Sequence, residues 1–262
     1  MGSAIAERIN IPVAVFDADR LKTSNLKSTI QVVLSAALVV QNCDVIIIAV
    51  KPQDFELLLE AIKKPAEGRN KLFISIAAGI RTSFIEKRLE GSRVVRVMPN
   101  LPARIGEAMS CLAKGASAKD EDLVFAQGLF NALGQTLCIP EDLMDAATAI
   151  SGSGPGFFFY QAGDRPEAEL KDLANKEFIP KFTDAARQLG FTAQQAQLLV
   201  DATVSGSIAL IAATGLAAQE LLVQVTSKGG TTEAGLAVLQ KGGSLADAAR
   251  AAAQRASELS KS

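Results

Sequence analysis

Apolar positions along this chain follow two regimes. In the first half they form short continuous runs rich in β-branched residues. Val13-Ala14-Val15-Phe16 closes on Asp17, and Val45-Ile46-Ile47-Ile48-Ala49-Val50 ends at Lys51-Pro52. Leu72-Phe73-Ile74-Ser75-Ile76 ends at Ala77-Ala78-Gly79, and Val94-Val95-Arg96-Val97 ends at Met98-Pro99-Asn100. Runs of this kind predict buried parallel strands, covered on both faces. Between them Phe55, Leu58, Leu59 and Ile62 make one helical stripe, and Phe84, Ile85 and Leu89 another, at the spacing of βαβ units. Further strands are predicted around 108–112 and 135–139, framing a helix over about 119–133. The pattern predicts a doubly wound, Rossmann-like α/β domain, in which ligands bind at the carboxyl ends of the strands.

From about Met144 the pattern changes to an almost wholly helical one, dominated by Ala, Leu, Gln and Glu, with no strand-like run. The break near 140–143 predicts two domains, 1–143 and 144–262. Residues 201–222 are rich in Ala, Gly and Ser, which let helices pack closely. Residues 198–218 are the most apolar stretch, but Asp201, Thr203, Ser205, Ser207 and Thr214 interrupt it. No uninterrupted apolar run reaches about 18 residues, so the stretch reads as a helix buried against other helices, and neither a membrane span nor a signal peptide is expected. An Ala-rich helix over about 245–259 closes the chain.

Composition narrows the chemistry. The 262 residues are 48% hydrophobic and 21% charged, which predicts a sizeable core, and 27 basic against 28 acidic side chains leave a net charge of −1. Such a balance offers no steering field for nucleic acid or an anionic membrane. Cys43, Cys111 and Cys138 are widely spaced and odd in number, which argues against a disulfide framework or zinc site and suits a reducing cytoplasm. The chain has no histidine, so His-based triads and His-ligated metal sites are excluded, and no metal is expected. Acid–base work falls to Lys, Asp, Glu, Tyr, a hydroxyl or water.

The most suggestive chemistry lies in Val225-Thr226-Ser227-Lys228-Gly229-Gly230-Thr231-Thr232-Glu233, a glycine-centred turn followed at once by a helical pattern. The first amides of a helix lack internal partners and sit at the positive end of its dipole. Gly229 and Gly230 let the backbone bend and let a ligand come close, while Thr231 and Thr232 set hydroxyls beside bare N–H groups. That suits a small anion such as a carboxylate. The same residues also read as an ordinary N-cap after a flexible turn. Lys51-Pro52 likewise reads either as part of a binding loop or as a plain strand terminator.

In four blocks the chain resembles the pyrroline-5-carboxylate reductases. These are Asp44-Val45-Ile46-Ile47-Ile48-Ala49-Val50-Lys51-Pro52-Gln53; Ser75-Ile76-Ala77-Ala78-Gly79-Ile80; Arg96-Val97-Met98-Pro99-Asn100-Leu101-Pro102 with Gly106; and Ala149-Ile150-Ser151-Gly152-Ser153-Gly154-Pro155 together with the glycine–threonine turn through Gly242-Gly243. The resemblance implies hydride transfer from NADPH, with NADH as the alternative, to the C5=N carbon of pyrroline-5-carboxylate, giving L-proline. It implies that Ser227, Gly230, Thr231 and Thr232 hold the substrate carboxylate, with the Thr232 hydroxyl near the ring nitrogen as the catalytic group. Ala49, Val50, Lys51 and Pro52, then Ala77, Ala78 and Gly79, then Met98, Pro99 and Asn100 would line the cofactor, with Gly2 and Ser3 at the phosphate end. The 151–155 block, although it looks like a phosphate loop, would lie in a helical segment near the active site. The helical domain would form an intertwined homodimer, assembled further into a homo-oligomer such as a decamer.

Several places depart from the family pattern. Met1-Gly2-Ser3-Ala4-Ile5-Ala6 reads as the tail of a Gly-Ala-Gly-Asn-Met-Gly turn, without the strand and leading glycines that normally precede it. That strand is usually central, so without it buried backbone groups would go unpaired at about 1–3 kcal/mol each, or another element would fill the gap. Where relatives carry an Asn on the cofactor ribose, this chain has Ala36. Residues 162–181 look like an inserted, charged, loop-prone stretch at the surface. Asp17 favours a ribose 2′-hydroxyl and hence NADH, whereas Arg20 and Lys22 favour a 2′-phosphate. Two other readings stand beside the leading one: a related imine or 2-hydroxyacid reductase, and a non-catalytic homo-oligomer unable to hold a dinucleotide.

Overall fold

The computed structural model describes residues 1–260. A central sheet of five strands has the order β3 (Val45–Ile48), β4 (Leu72–Ser75), β5 (Arg93–Met98), β6 (Ala108–Lys114), β7 (Gly134–Cys138). The first three are parallel, β6 runs antiparallel to β5, and β7 is parallel to β6. The reversal at β6 was not legible in the strand pattern, because β-branched runs do not encode direction. Successive side chains on β4 and β5 point to opposite faces. Phe73 and Val94 join a cluster with α2 (Ala36–Asn42), α3 (Phe55–Ala66) and α4 (Thr82–Arg88). Leu72, Ile74, Val95 and Val97 join Ile5 of α1 (Gly2–Arg8) and Ala126, Leu129 and Phe130 of α5 (Asp120–Asn131) on the other. Helices therefore cover both faces, as a doubly wound sheet requires.

The first predicted strand is different from its expectation. Only Ala14–Val15 (β1) is extended, and it pairs in parallel with Gln31–Val32 (β2) as a separate two-stranded sheet. Ala14 and Val15 are half-buried rather than buried, and Phe16 is exposed. Among the described residues β1 pairs with β2 alone, and neither Ala14 nor Val15 belongs to a hydrophobic cluster, so no helix layer covers it as helices cover the main sheet. Among the described residues no strand pairs with β3 on the side away from β4, so β3 forms an outer edge of the main sheet.

After β7 the described chain is helical: α6 (Met144–Ala147), α7 (Gly154–Ala162), α8 (Glu167–Leu173), α9 (Ile179–Gln188), α10 (Ala193–Thr214), α11 (Ala218–Val225), α12 (Thr231–Leu239) and α13 (Leu245–Leu259). Two π-helical turns, Thr148–Gly152 and Ala174–Phe178, precede Pro155 and Pro180. In each case the residue four before the proline, Ser151 or Lys176, lies in the wide turn. A proline ring would collide with that carbonyl in a regular α-helix, and the wider turn moves it away. By length and mean hydropathy (1.6) α10 is a candidate span, but half of its most apolar window is buried inside the protein, and it packs on α7, α9 and β6.

The stretch 162–181 corrects its expectation. Only the turn around Gly163 (φ 53°) is loop-like. The rest forms α8 and the π-turn, and Leu170, Leu173, Ala174 and Phe178 enter the main core. Phe178 stands edge-on to Phe158 at 5.3 Å and tilted against Phe182 at 5.0 Å. Its charges occupy one face, and its apolar residues, spaced 3–4 apart, the other. Phe178→Ala should therefore lower the unfolding free energy by about 3–5 kcal/mol, seen as a lower urea midpoint. A surface position would give almost no change.

Candidate active site

The turn before α12 has the geometry its residues predict. Gly229 adopts φ +70°, which strains any residue with a Cβ. At Gly230 a Cβ would stand 2.3 Å from Ser227 Oγ, so that only glycine lets the serine fold over the backbone. Gly230 then caps α12 with extended backbone (φ −86°, ψ 177°), donates to the Ser227 carbonyl at 3.0 Å and accepts from Ala234 N–H at 3.2 Å. Thr231 is half-buried and Thr232 is 4% exposed. Their hydroxyls converge on Ser153, fully buried at the start of α7: Thr232 Oγ1 donates to Ser153 Oγ at 3.2 Å, and Thr231 Oγ1 stands 2.9 Å from the same atom. The serine explains why the 151–155 block matters. Its small residues allow close packing (a Cβ on Gly156 would meet Thr232 Cγ2 at 2.5 Å), and one of them supplies the oxygen that ties the two threonines. Within the 151–155 block Ser153 carries no separate sequence signal, since a hydroxyl network spanning about eighty positions leaves no local signature.

Two further residues grip the turn and were also absent from the sequence-based site. The Glu233 carboxylate accepts Gly229 N–H at 2.7 Å, and Arg255 Nε donates to the Gly229 carbonyl at 2.8 Å.

The strand-end loops lie as follows. Gly2 begins α1, and a Cβ there would stand 3.2 Å from Ala49 Cβ, so the first helix and the end of β3 touch where the sequence places the cofactor. Val50 is half-buried, whereas Lys51 and Pro52 are exposed, Lys51 preceding a 3-10 turn at Pro52–Asp54. Ala77 and Gly79 are buried, Gly79 at φ +76°. Met98, Pro99 and Asn100 are buried; Asn100 Oδ1 accepts Met109 N–H at 3.0 Å, while its Nδ2 has no partner. Ser3 lines a cavity of about 690 Å³ with Met1, Glu7, Arg8, Lys27 and Arg104. Gly2 packs on Ala49 and Gly79 on Leu259, and the Asn100 Nδ2 is left without a partner at the strand ends.

Helix α13 joins the two halves of the site. A Cβ on Gly79 would lie 3.0 Å from the Leu259 carbonyl oxygen, and Arg255, which holds Gly229, sits one helical turn earlier. A turn rises about 5.4 Å, so both loops border the same end of α13. Just beyond, Ser260 Oγ donates to Asp145 at 3.1 Å. Asp145 and Glu141 flank the guanidinium of Arg96 on β5, at 3.6 and 3.8 Å. Arg96 is 2% exposed, and its Nε and Nη2 make no hydrogen bond. Burial pushes its pKa down, and the charges of Asp145 and Glu141 push it back up. Glu141 also accepts the N–H and hydroxyl of Thr82 at 2.7 and 2.6 Å, tying in the start of α4.

A doubly wound sheet with loops at its strand ends, joined to a helical half, is the build of a dinucleotide-dependent oxidoreductase. Residues 1–79 match the model of the family described as NADP oxidoreductase, coenzyme F420-dependent, and residues 176–259 that of pyrroline-5-carboxylate reductase dimerisation. The pyrroline-5-carboxylate reductase of Methanosarcina acetivorans is 38% identical, the match covering 92% of this chain and 84% of the relative. That of Arabidopsis thaliana is 37% identical over 86% of this chain and 76% of the relative. Among solved structures, a pyrroline-5-carboxylate reductase from Coxiella burnetii superposes with a TM-score of 0.62 at 30% identity, covering 100% of this chain and 93% of the other. The Plasmodium falciparum pyrroline carboxylate reductase with NADP bound gives 0.61 at 28% identity, with 99% and 94% covered. The chain belongs to the pyrroline-5-carboxylate reductases, NAD(P)H-dependent oxidoreductases that make proline from pyrroline-5-carboxylate.

Arg96→Met should lower the unfolding free energy by about 3 kcal/mol, because two carboxylates then lose their buried counter-charge. Denaturant titration reads this directly, and an unchanged midpoint would remove Arg96 from the seam.

Proposed function

We propose that this chain reduces pyrroline-5-carboxylate with the substrate carboxylate seated on Ser227, Gly230, Thr231 and Thr232. The observation that carries the reading is the hydroxyl cluster at the start of α12, where Ser153, Thr231 and Thr232 meet within hydrogen-bond distance beside the free amides of a helix N-terminus. Those amides and the helix dipole attract an anion, and the hydroxyls orient it. Thr232, fixed by Ser153 and packed on Gly156, hydrogen-bonds the ring nitrogen, whose proton comes from water as C5 is reduced. A nicotinamide bound at the strand ends would supply the hydride. Ala49, Val50, Lys51, Pro52, Ala77, Ala78, Gly79, Met98, Pro99 and Asn100 line the dinucleotide, with Gly2 and Ser3 at its phosphate end. Rate enhancement then comes from orientation and fixed dipoles rather than from a strong acid or base, which suits a chain without histidine.

In this reading NADPH is the preferred reductant. Arg20 and Lys22 are exposed near the end of β1, and Lys22 Nζ lies 4.0 Å from Asp17 and 3.8 Å from Asp19, so the acid that would favour NADH already has a cation beside it. The NADP-bound Plasmodium neighbour supports the same choice. We place the functional division at 143/144, with residues 144–262 pairing in a homodimer that builds higher assemblies such as a decamer. A cytoplasmic location suits the free cysteines.

One assay tests the whole reading: NADPH oxidation and proline formation on adding pyrroline-5-carboxylate. Turnover is expected. A dimer that binds no nucleotide would overturn it. Thr232→Ala should raise KM for the imine and lower kcat, with NADPH binding nearly unchanged, and an unaltered kcat/KM would remove Thr232 from the site. Combining Arg20→Ala with Lys22→Ala should raise KM for NADPH roughly tenfold and leave that for NADH unchanged. Equal effects on both cofactors would refute the 2′-phosphate contact.

A further inference from the structure

We infer that Arg255 and Glu233 are positioning residues that hold the carboxylate turn in its binding shape; the inference rests on the proposed substrate seat. Two adjacent glycines give this turn more conformational freedom than any other pair of residues would. An anion cradle stays in shape only if something outside the turn holds it. Gly229 is gripped through both of its backbone polar groups: its N–H goes to Glu233 Oε2 at 2.7 Å and its carbonyl receives Arg255 Nε at 2.8 Å. The guanidinium is itself anchored, since Arg255 Nη1 reaches Glu258 at 2.9 Å, and it lies over the turn, with Nη2 3.7 Å from where a Gly229 Cβ would be. Glu233 occupies the first turn of α12, and there its charge opposes an incoming carboxylate. Arg255 supplies the opposite charge next to the same glycine. It therefore fixes the backbone of the turn, touching the turn and not the substrate.

The test uses the full-length protein as wild type, Arg255→Ala, Arg255→Lys and Glu233→Gln. Arg255→Ala should raise KM for pyrroline-5-carboxylate about tenfold, with KM for NADPH and kcat within about twofold. Amide hydrogen exchange of peptides spanning 226–232 should accelerate. Added methylguanidinium should recover part of the lost kcat/KM, and Arg255→Lys, which keeps charge but not the Nε–H, should fall between. Glu233→Gln should leave KM for the imine equal or lower, since the acid's repulsion goes while its carbonyl still accepts Gly229 N–H. An unchanged imine KM in Arg255→Ala overturns the proposal, and so does a parallel rise in both KM values without rescue. If wild type shows no turnover, the substrate reading fails by itself. The exchange rates then decide the clamp alone, and equal protection in wild type and Arg255→Ala overturns it.

Discussion

A guanidinium that is almost wholly excluded from water is stable only where its charge is matched on the spot. Arg96 meets that condition at the seam between the sheet and the helices. Glu141 and Asp145 reach it from the first helical residues after β7, Thr82 anchors Glu141 to α4, and Ser260 anchors Asp145 to the end of α13. The cluster fixes how the helical half sits on the sheet. The strand-end loops and the glycine–threonine turn belong to different halves, so their relative placement depends on this seam. The apolar contact across it, from Met98, Met109, Cys111 and Ala113 to the phenylalanines of α7, is continuous but non-directional. Orientation comes from the ion pairs.

The seam leads on to the turn. Helix α13 carries Arg255 against Gly229, Leu259 against Gly79 and Ser260 against Asp145. One helix thus sets the spacing between the glycine–threonine turn and the Gly79 loop. Such spacing is needed where catalysis depends on bringing two reactants to a short, defined separation.

The sequence revealed most of the scaffold and part of the site. Continuous runs such as Val45–Ile48 and Leu72–Ser75 were readable as strands because burial on both faces removes alternation. The Gly229-Gly230-Thr231-Thr232 turn was readable because glycine freedom, hydroxyls and a helix start coincide within a few residues. Legibility ended where the signal was not local. Ser153 looked like packing until Thr231 and Thr232 came to it from far along the chain. The 162–181 stretch looked like a solvated loop because its charges outnumber its apolar residues, yet Leu170, Leu173 and Phe178 recur at helical spacing and are buried. Val13–Phe16 looked like a buried strand because an apolar run says nothing about whether neighbours stand on both sides. Arg255 carries no sequence signal at all, and Glu233 only its place in the turn motif; their contacts with Gly229 are what distinguish them.

The open side of β3 has a consequence for behaviour in concentrated solution. A strand edge presents alternating donors and acceptors that any extended backbone can match, so it is a template for ladder pairing between molecules. Here the template is only four residues long and ends beside Asp44 and Lys51. Its brevity limits how many cross-molecule bonds can form. Asp44 just before it and Lys51 three residues past it set charges close to the edge, a device that blunts edge-to-edge pairing.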